Sequence, residues 1–290
     1  MPSLIDIRRR IRSVKNTQQI TKAMKMVSAA KLRRAQDRVI ASRPYAGMLD
    51  RMLKNLAAAA ATSDNEEIAN HPMLAQRPEN RILILVVTAD RGLAGAFNAN
   101  VIRTVQHFIA NHADAEISLE LMGRRGRDFF RRRHPNIAGE YTALFMRTVE
   151  YDQALEIARS VADRFAKEEF DAVYVVANYF KSVVASDLVT RKILPIELPK
   201  SAETATDYIY AEPPEELLKT LLPRYIELEI YRTMLESSAA EHAARMTAMD
   251  AASTNAADMI EKLTLNMNRV RQASITREII EIVSGAAALE

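Results

Sequence analysis

Apolar residues recur at seven-residue intervals along the last quarter of the chain. One series runs Leu221, Leu228, Leu235, His242, Met249, Ala256, Leu263 and Val270. A second, offset by four, runs Tyr225, Arg232, Ala239, Met246, Ser253, Ile260, Met267 and Ser274. Together they make an a/d seam sustained for about eight heptads, well beyond the three or four that argue for a coiled coil. Arg224 to Ser284 is 61 residues without Gly or Pro, filled by the strong helix formers Ala, Leu, Met, Glu and Arg. At the α-helical rise this predicts a rod on the order of 90 Å long, too slender to form a core alone and in need of a partner along its seam.

Ser3–Arg43 is a second stretch free of Gly and Pro, 41 residues long. Leu4, Ile7, Ile11 and Val14 follow helical spacing. Asn16-Thr17-Gln18-Gln19 interrupts that stripe, Ile20, Met24 and Val27 resume it in a shifted phase, and Leu32, Ala35 and Val39 continue it. The pattern predicts a long helix whose apolar face slips, ended or kinked at Pro44, with further helix over Tyr45–Ala61.

The middle of the chain has a different rhythm. Ile82–Val87 is an unbroken apolar run, as in a strand buried on both faces. Asp90-Arg91-Gly92-Leu93-Ala94-Gly95 follows as a turn, then a helix over Asn98–Asn111, a strand over Ile117–Met122 and a basic helix over Arg124–Arg133. A helix over Val149–Glu168, a strand over Ala172–Ala177 and a strand within Leu188–Leu198 complete it. This alternation predicts a small, mainly parallel, Rossmann-like α/β domain. The whole divides into an N-terminal coiled-coil helix (1–61), a linker (62–80), the α/β domain (81–198), a second linker (199–214) and a C-terminal coiled-coil helix (215–290). Because the chain leaves and returns through one inserted domain, the two end helices are expected to pair antiparallel. The C-terminal one, longer by about 30 Å, should project past the start of its partner as a single helix. Ala239, Ala240, Ala243 and Ala244 would let neighbouring helices approach closely.

Charge adds an asymmetry to this plan. The chain is nearly neutral at +3, yet residues 1–43 hold twelve Lys and Arg against Asp6 and Asp37. Such an imbalance suits nucleic acid, an acidic membrane surface or an acidic protein partner. Cysteine is absent, which excludes disulfides and thiolate chemistry. The longest apolar strand-like run is too short to span a bilayer, and Met1-Pro2-Ser3 begins without an apolar signal segment. The expected setting is the cytosol, or a membrane complex approached from the cytosolic side.

Candidate chemistry is sparse. The turn Asp90–Phe97 lies between a strand and a helix, where phosphate-binding loops sit. Its spacing is Gly-x-x-Gly, however, and no Gly-Lys-Ser/Thr follows, which favours a plain tight turn. His71, His107, His112, His134 and His242 show no metal-ligand spacing. Arg124, Arg125, Arg127, Arg131, Arg132 and Arg133 beside Phe129 and Phe130 would suit phosphate groups, although a solvated helix face is the favoured reading. His242 and Arg232 on the seam read as residues that set helix register. Arg271–Glu278 is polar on several faces near the end of a rod, either a solvated helix or a tip that makes directed contacts inside something larger.

Ile275-Thr276-Arg277-Glu278-Ile279-Ile280-Glu281-Ile282-Val283-Ser284-Gly285-Ala286-Ala287-Ala288 resembles the C-terminal signature of the gamma-subunit family of F-type, proton-translocating rotary ATP synthases. Ile5–Arg8 and Asn16–Val27 resemble that family's N-terminal helix, Asp90–Asn98 its central turn, and Asp207-Tyr208-Ile209-Tyr210-Ala211-Glu212-Pro213 the segment before its last helix. The likeness covers nearly the whole chain in order. Ala94 and Ala96 stand where the family often has Cys and Gly, and no thiol-switch insert of the chloroplast kind is present. The start at Met1 fits a bacterial member.

The resemblance implies an antiparallel coiled-coil shaft turning inside a ring of three alpha and three beta subunits, with the nucleotide sites in that ring. It implies a foot, formed by the α/β domain and lower coil, that binds the epsilon subunit and rests on the c-ring. Proton flow would turn ring and shaft and drive ATP synthesis. It implies coupling contacts to beta at Arg271, Gln272, Thr276, Glu278, Met24 and Lys25, and foot contacts to epsilon or the c-ring at Tyr208, Tyr210 and Glu212. No catalytic residue, cofactor or metal is implied in this chain, which would be a peripheral component on the cytoplasmic side of a bacterial inner membrane. Two other classes fit the residues less fully: a nucleotide-binding α/β enzyme using the Gly92–Gly95 turn, and a basic coiled-coil adaptor that binds nucleic acid through residues 8–43.

Overall fold

The computed structural model describes residues 3–62, 71–146, 148–197 and 213–287. Among the described residues, two long helices, α1 (Leu4–Thr62) and α5 (Pro214–Ala287), enclose in sequence five strands and three shorter helices. These are β1 (Arg81–Val87), α2 (Phe97–Asn111), β2 (Glu116–Met122), α3 (Arg124–Phe130), β3 (Ile137–Tyr141), α4 (Tyr151–Ala166), β4 (Ala172–Phe180) and β5 (Ser186–Leu194). The chain divides into two compact units. One comprises Met1–Ser28 with Arg245–Glu290, the other Ala29–Ala244.

The larger unit holds a mixed sheet in the order β3-β2-β1-β4-β5. β1 pairs in parallel with β2 and β4, β2 with β3, and β5 returns antiparallel along β4. The apolar run Ile82–Val87 is central and wholly buried, as its lack of alternation predicted. Ile82, Ile84 and Val86 pack with Val101 and Val105 of α2, with Leu119 and Leu121 of β2, and with Phe130. Alternate residues Leu83 and Leu85 point the other way and are equally buried.

Two features of this unit were not legible. β3 reads Ile-Ala-Gly-Glu-Tyr and is only half-buried along its length, so it carries neither a continuous apolar run nor alternation. α3 stops at Phe130 rather than Arg133, because the N–H groups of Arg133 and His134 both turn back to the Phe130 carbonyl.

α1 remains α-helical through Pro44 to Thr62, so Pro44 does not end it, and the helix expected over Tyr45–Ala61 continues from the one before it. Proline removes one N–H, but its fixed φ is helical, and Val39, Leu49, Leu53 and Leu56 continue a buried stripe on both sides of it. In the same unit α5 is enclosed on nearly every side from Ile230 to Ala243. Ala240 and Ala244 meet Ala89, Ala94, Phe97 and Phe180, the close approach that small side chains permit. Tyr179 and Thr233 share a hydroxyl hydrogen bond of 2.7 Å. Arg191 pairs with Glu229, which also lies 3.8 Å from Arg232.

The apolar face of α1 does not slip. Within the smaller unit Leu4, Ile7, Ile11, Val14, Gln18, Thr21, Lys25 and Ser28 form an unbroken heptad of shielded positions, with Met24 half-buried beside it. Leu32, Ala35, Val39, Ser42, Ala46, Leu49, Leu53 and Leu56 follow in the same phase in the larger unit. Ile20 and Val27, which suggested the shift, are 60% and 57% exposed. On α5 the least exposed positions of the smaller unit include Met249, Ser253, Ala256, Ile260, Leu263, Met267, Val270 and Ser274, all on the predicted seam. Among the described residues no helix is long and apolar enough to cross a membrane.

Candidate functional site

The turn after β1 was the candidate for a nucleotide-phosphate loop. Asp90 is buried there, and its carboxylate accepts hydrogen bonds from the backbone N–H groups of Arg124 at 3.0 Å, Ala143 at 2.9 Å and Phe145 at 2.8 Å. The protein thus supplies its own anion where a phosphate would have to bind. Asn98 accepts the Ala89 N–H at 2.9 Å, and Thr88 accepts the Gly126 N–H at 2.9 Å. Gly123 joins β2 to α3 with φ of +101°, and a Cβ there would lie 2.1 Å from the Thr88 carbonyl oxygen. These interlocking bonds rigidify the carboxyl edge of the sheet.

Three of the six arginines in the basic run at and just after α3 make local contacts. Arg127 pairs with Asp128 at 3.0 Å, Arg131 with Glu140 at 3.6 Å, and Arg133 stacks 4.2 Å from the Phe129 ring centre. Among the described residues no three His, Asp or Glu side chains gather as a metal site would require.

In the smaller unit the two long helices are joined by polar contacts that periodicity did not single out. Thr21 and Ser253 hydroxyls lie 2.7 Å apart in a buried pair, and Ser253 also donates to the Met249 carbonyl at 2.8 Å. Gln18 donates to the Ser253 carbonyl at 3.4 Å. Lys25 makes an ion pair of 2.6 Å with Asp250. Reading the Leu4, Ile7, Ile11, Val14 heptad straight onward through Gln18 and Thr21 would have found this layer. The polarity of those residues concealed it. Of the expected coupling residues, Lys25 therefore already has a partner within the chain, and Met24 beside it is half-buried.

The others lie on the last turns of α5. Arg271, Gln272, Thr276 and Glu278 are all exposed. Thr276 donates to the Gln272 carbonyl of its own helix at 3.0 Å, and Glu278 accepts from Ser274 at 3.3 Å. No side-chain partner for Arg271 is found among the described residues. Ile275, Ile279, Ile280, Ile282 and Val283 around them are exposed as well, Ile282 to 72%. Five large apolar side chains exposed beside the Arg271 guanidinium make a surface that no contact among the described residues covers. Tyr208, Tyr210 and Glu212 lie outside the described residues.

Comparison with known proteins bears on the chain as a whole. The family model described as ATP synthase matches residues 3–289. The ATP synthase gamma chain of Solibacter usitatus is 60% identical over 290 residues, covering all of both chains. The gamma chain of Anaeromyxobacter sp. strain Fw109-5 is 48% identical over 294 residues, again covering both completely. Among solved structures, a chain of the Tetrahymena thermophila mitochondrial ATP synthase central stalk and c-ring shares 25% identity at a TM-score of 0.61, covering 81% of this chain and 99% of that one. A chain of the Euglena gracilis mitochondrial enzyme shares the fold at a TM-score of 0.66 and 17% identity, covering 99% and 94%.

Proposed function

Because the chain belongs to the ATP synthase gamma-chain family, we propose that it is the central rotor shaft of an F-type ATP synthase. It couples proton-driven rotation of the membrane c-ring to conformational changes at the catalytic sites of the surrounding alpha and beta subunits. The observation that carries this reading is identity of 60% across the full length of both chains to a gamma chain. The partners are the alpha and beta subunits, epsilon and the c-ring.

On this reading α1 and α5 form an antiparallel two-helix coiled coil. Two contacts support it. Thr21 meets Ser253 and Lys25 meets Asp250, so numbers fall along one helix as they rise along the other. Continuing that register sets Leu4 opposite residue 270 or so, and the helix beyond would be unaccompanied. The exposure of residues 275–284 agrees with that. The tip residues Arg271, Gln272, Thr276 and Glu278, with Met24 and Lys25, are then coupling contacts to beta. An arginine fork suits a carboxylate or paired carbonyls. Tyr208, Tyr210 and Glu212 are assigned to the foot, against epsilon or the c-ring. The scheme of two coil helices (1–61 and 215–290), two linkers (62–80 and 199–214) and an α/β foot (81–198) follows.

The chain carries no catalytic site of its own. The Asp90 carboxylate filling the one phosphate-like turn supports this. It sits peripherally, through its complex, on the cytoplasmic face of a bacterial inner membrane. The test is purification of the membrane-bound ATPase from cells carrying a tagged copy. One copy of the chain per catalytic hexamer is expected. A coupled, rotating ATPase lacking the chain, or micromolar ATP binding by the chain alone, would overturn the reading.

A further inference from the structure

Glu229 of α5 is buried where a carboxylate gains the fold little. It lies between two guanidiniums of the larger unit, Arg191 of β5 on one oxygen and Arg232, 3.8 Å away, on the other. Both arginines are partly exposed. Water screens them, so they recover little of what burying the carboxylate costs. An apolar set of similar volume would hold the fold as well or better. The Arg191–Glu229–Arg232 triad therefore serves something other than stability.

Arg191 also donates to the Tyr179 hydroxyl of β4 at 2.9 Å, and that hydroxyl shares a hydrogen bond of 2.7 Å with Thr233 of α5. Arg191 is opposite Val175 in the β4–β5 register, an even number of residues from Tyr179, so both side chains stand on one face of the sheet. Glu229, Arg232 and Thr233, at spacings of three and four, share one face of the helix. The two faces are joined by a closed path, from Glu229 to Arg191 to Tyr179 to Thr233, that returns to the helix one turn from where it left. Among the described residues a second grip comes from α4. Tyr151 donates to Glu227 at 2.9 Å and stands edge-on to Tyr231, with 5.4 Å between ring centres.

Buried apolar residues of the same stretch, Ile226, Ile230 and Met234 among them, hold the helix by a force without preferred direction. Hydrogen bonds have one, and they weaken steeply once misaligned. A polar tip about 6 Å from the helix axis is carried about 1 Å by a turn of about 10°. That is enough to take bonds of this length beyond hydrogen-bonding range. We infer that the path through Glu229, Arg191, Tyr179 and Thr233 is an angular lock. It fixes the rotation of α5 about its own axis against β4 and β5, so that torque entering at the α/β domain passes into the shaft helix without slack. Its members are positioning residues, remote from any reacting atom. The inference rests on the shaft reading above, since it supposes that torque crosses this face.

The chain has no cysteine, so Gln106→Cys, at an exposed position of α2, can carry a bead on the α/β domain. The assembled complex, its other subunits cysteine-free, is fixed to glass through alpha and beta. The spread of the bead angle during pauses between ATP-driven steps reads the torsional stiffness between the hexamer and the α/β domain. Arg191→Leu, Glu229→Leu and Arg232→Leu together should assemble with a melting temperature unchanged or raised. The angular variance should nevertheless rise, by up to about twofold if one of two parallel grips is lost. Glu229→Gln, which still accepts from Arg191, should keep the variance of the unsubstituted chain. An assembled triple variant with unchanged variance would overturn the lock. A triple variant that melts lower or no longer assembles would overturn it too, because the triad would then be an ordinary support of the fold. A bead that never rotates with ATP on the complex carrying Gln106→Cys alone would instead overturn the shaft reading.

Discussion

The sheet of the larger unit and the helix pair of the smaller one are built on opposite principles. Every residue of β1 after Arg81 is buried, and the polar groups at its end, Thr88 and Asp90, are satisfied from within the chain. In the smaller unit Met26 is 75% exposed, Leu265 65% and Ile282 72%, while Gln18, Thr21, Lys25 and Ser28 occupy the shielded stripe. A protein stable by itself would place these the other way round. The sheet covers its own apolar residues, whereas the helix pair shields polar groups that bond across it and leaves large apolar side chains exposed.

The comparison is tested first where the sheet is tightest. Gly123→Ala forces an L-residue into φ of +101° with its Cβ 2.1 Å from a backbone oxygen. A loss of about 3–5 kcal/mol is expected, read by urea unfolding of the isolated chain. Unchanged stability would mean the carboxyl edge of the sheet is loose. Asp90→Ala comes next, since it strips the acceptor from three backbone N–H groups. About 3 kcal/mol should be lost, with ATP binding still absent by calorimetry. Appearance of nucleotide binding would reveal a masked phosphate site.

A smaller effect, of opposite sign, is expected at Glu120. Its side chain is fully buried, one oxygen lies 3.5 Å from Arg164, and the Tyr141 hydroxyl is beside the carboxyl. Burial pushes its pKa up, and Arg164 and Tyr141 offset only part of that. A carboxyl whose folded pKa exceeds its unfolded one binds its proton more tightly in the native state. Its ionisation therefore costs stability as pH rises from the unfolded value through the folded one. Glu120→Gln should stabilise the chain modestly at pH 7, and the gain should vanish below roughly pH 4, under the unfolded carboxyl pKa. A loss at pH 7 would show that the pairing with Arg164 outweighs burial.

The smallest stability effect belongs to the tip. Arg271→Ala with Gln272→Ala should leave the melting temperature of the isolated chain within about 1 °C, since exposed substitutions stay near zero. ATP synthesis and hydrolysis per assembled complex should nevertheless fall. A lower melting temperature with normal turnover would reverse the assignment and make these residues structural.

Sequence by itself determined the helical ends, the α5 seam from Met249 to Ser274 and the buried central strand. Each of these rests on a local period, 3.5 residues or a continuous apolar run, which any chain with that pattern must bury. Tertiary structure alone decided the matters that turn on competition between neighbours. Pro44 stays inside a helix because buried leucines beyond it hold the helix together. Gln18 and Thr21 face inward because a heptad begun at Leu4 cannot rotate midway without unseating the residues after it, so Ile20 and Val27 are left outside. β3 forms because β2 offers it an edge, and not through any pattern of its own. The Asp90 carboxylate became structural only when α3 and the Ala143–Phe145 turn brought three N–H groups to it from more than thirty residues away in sequence.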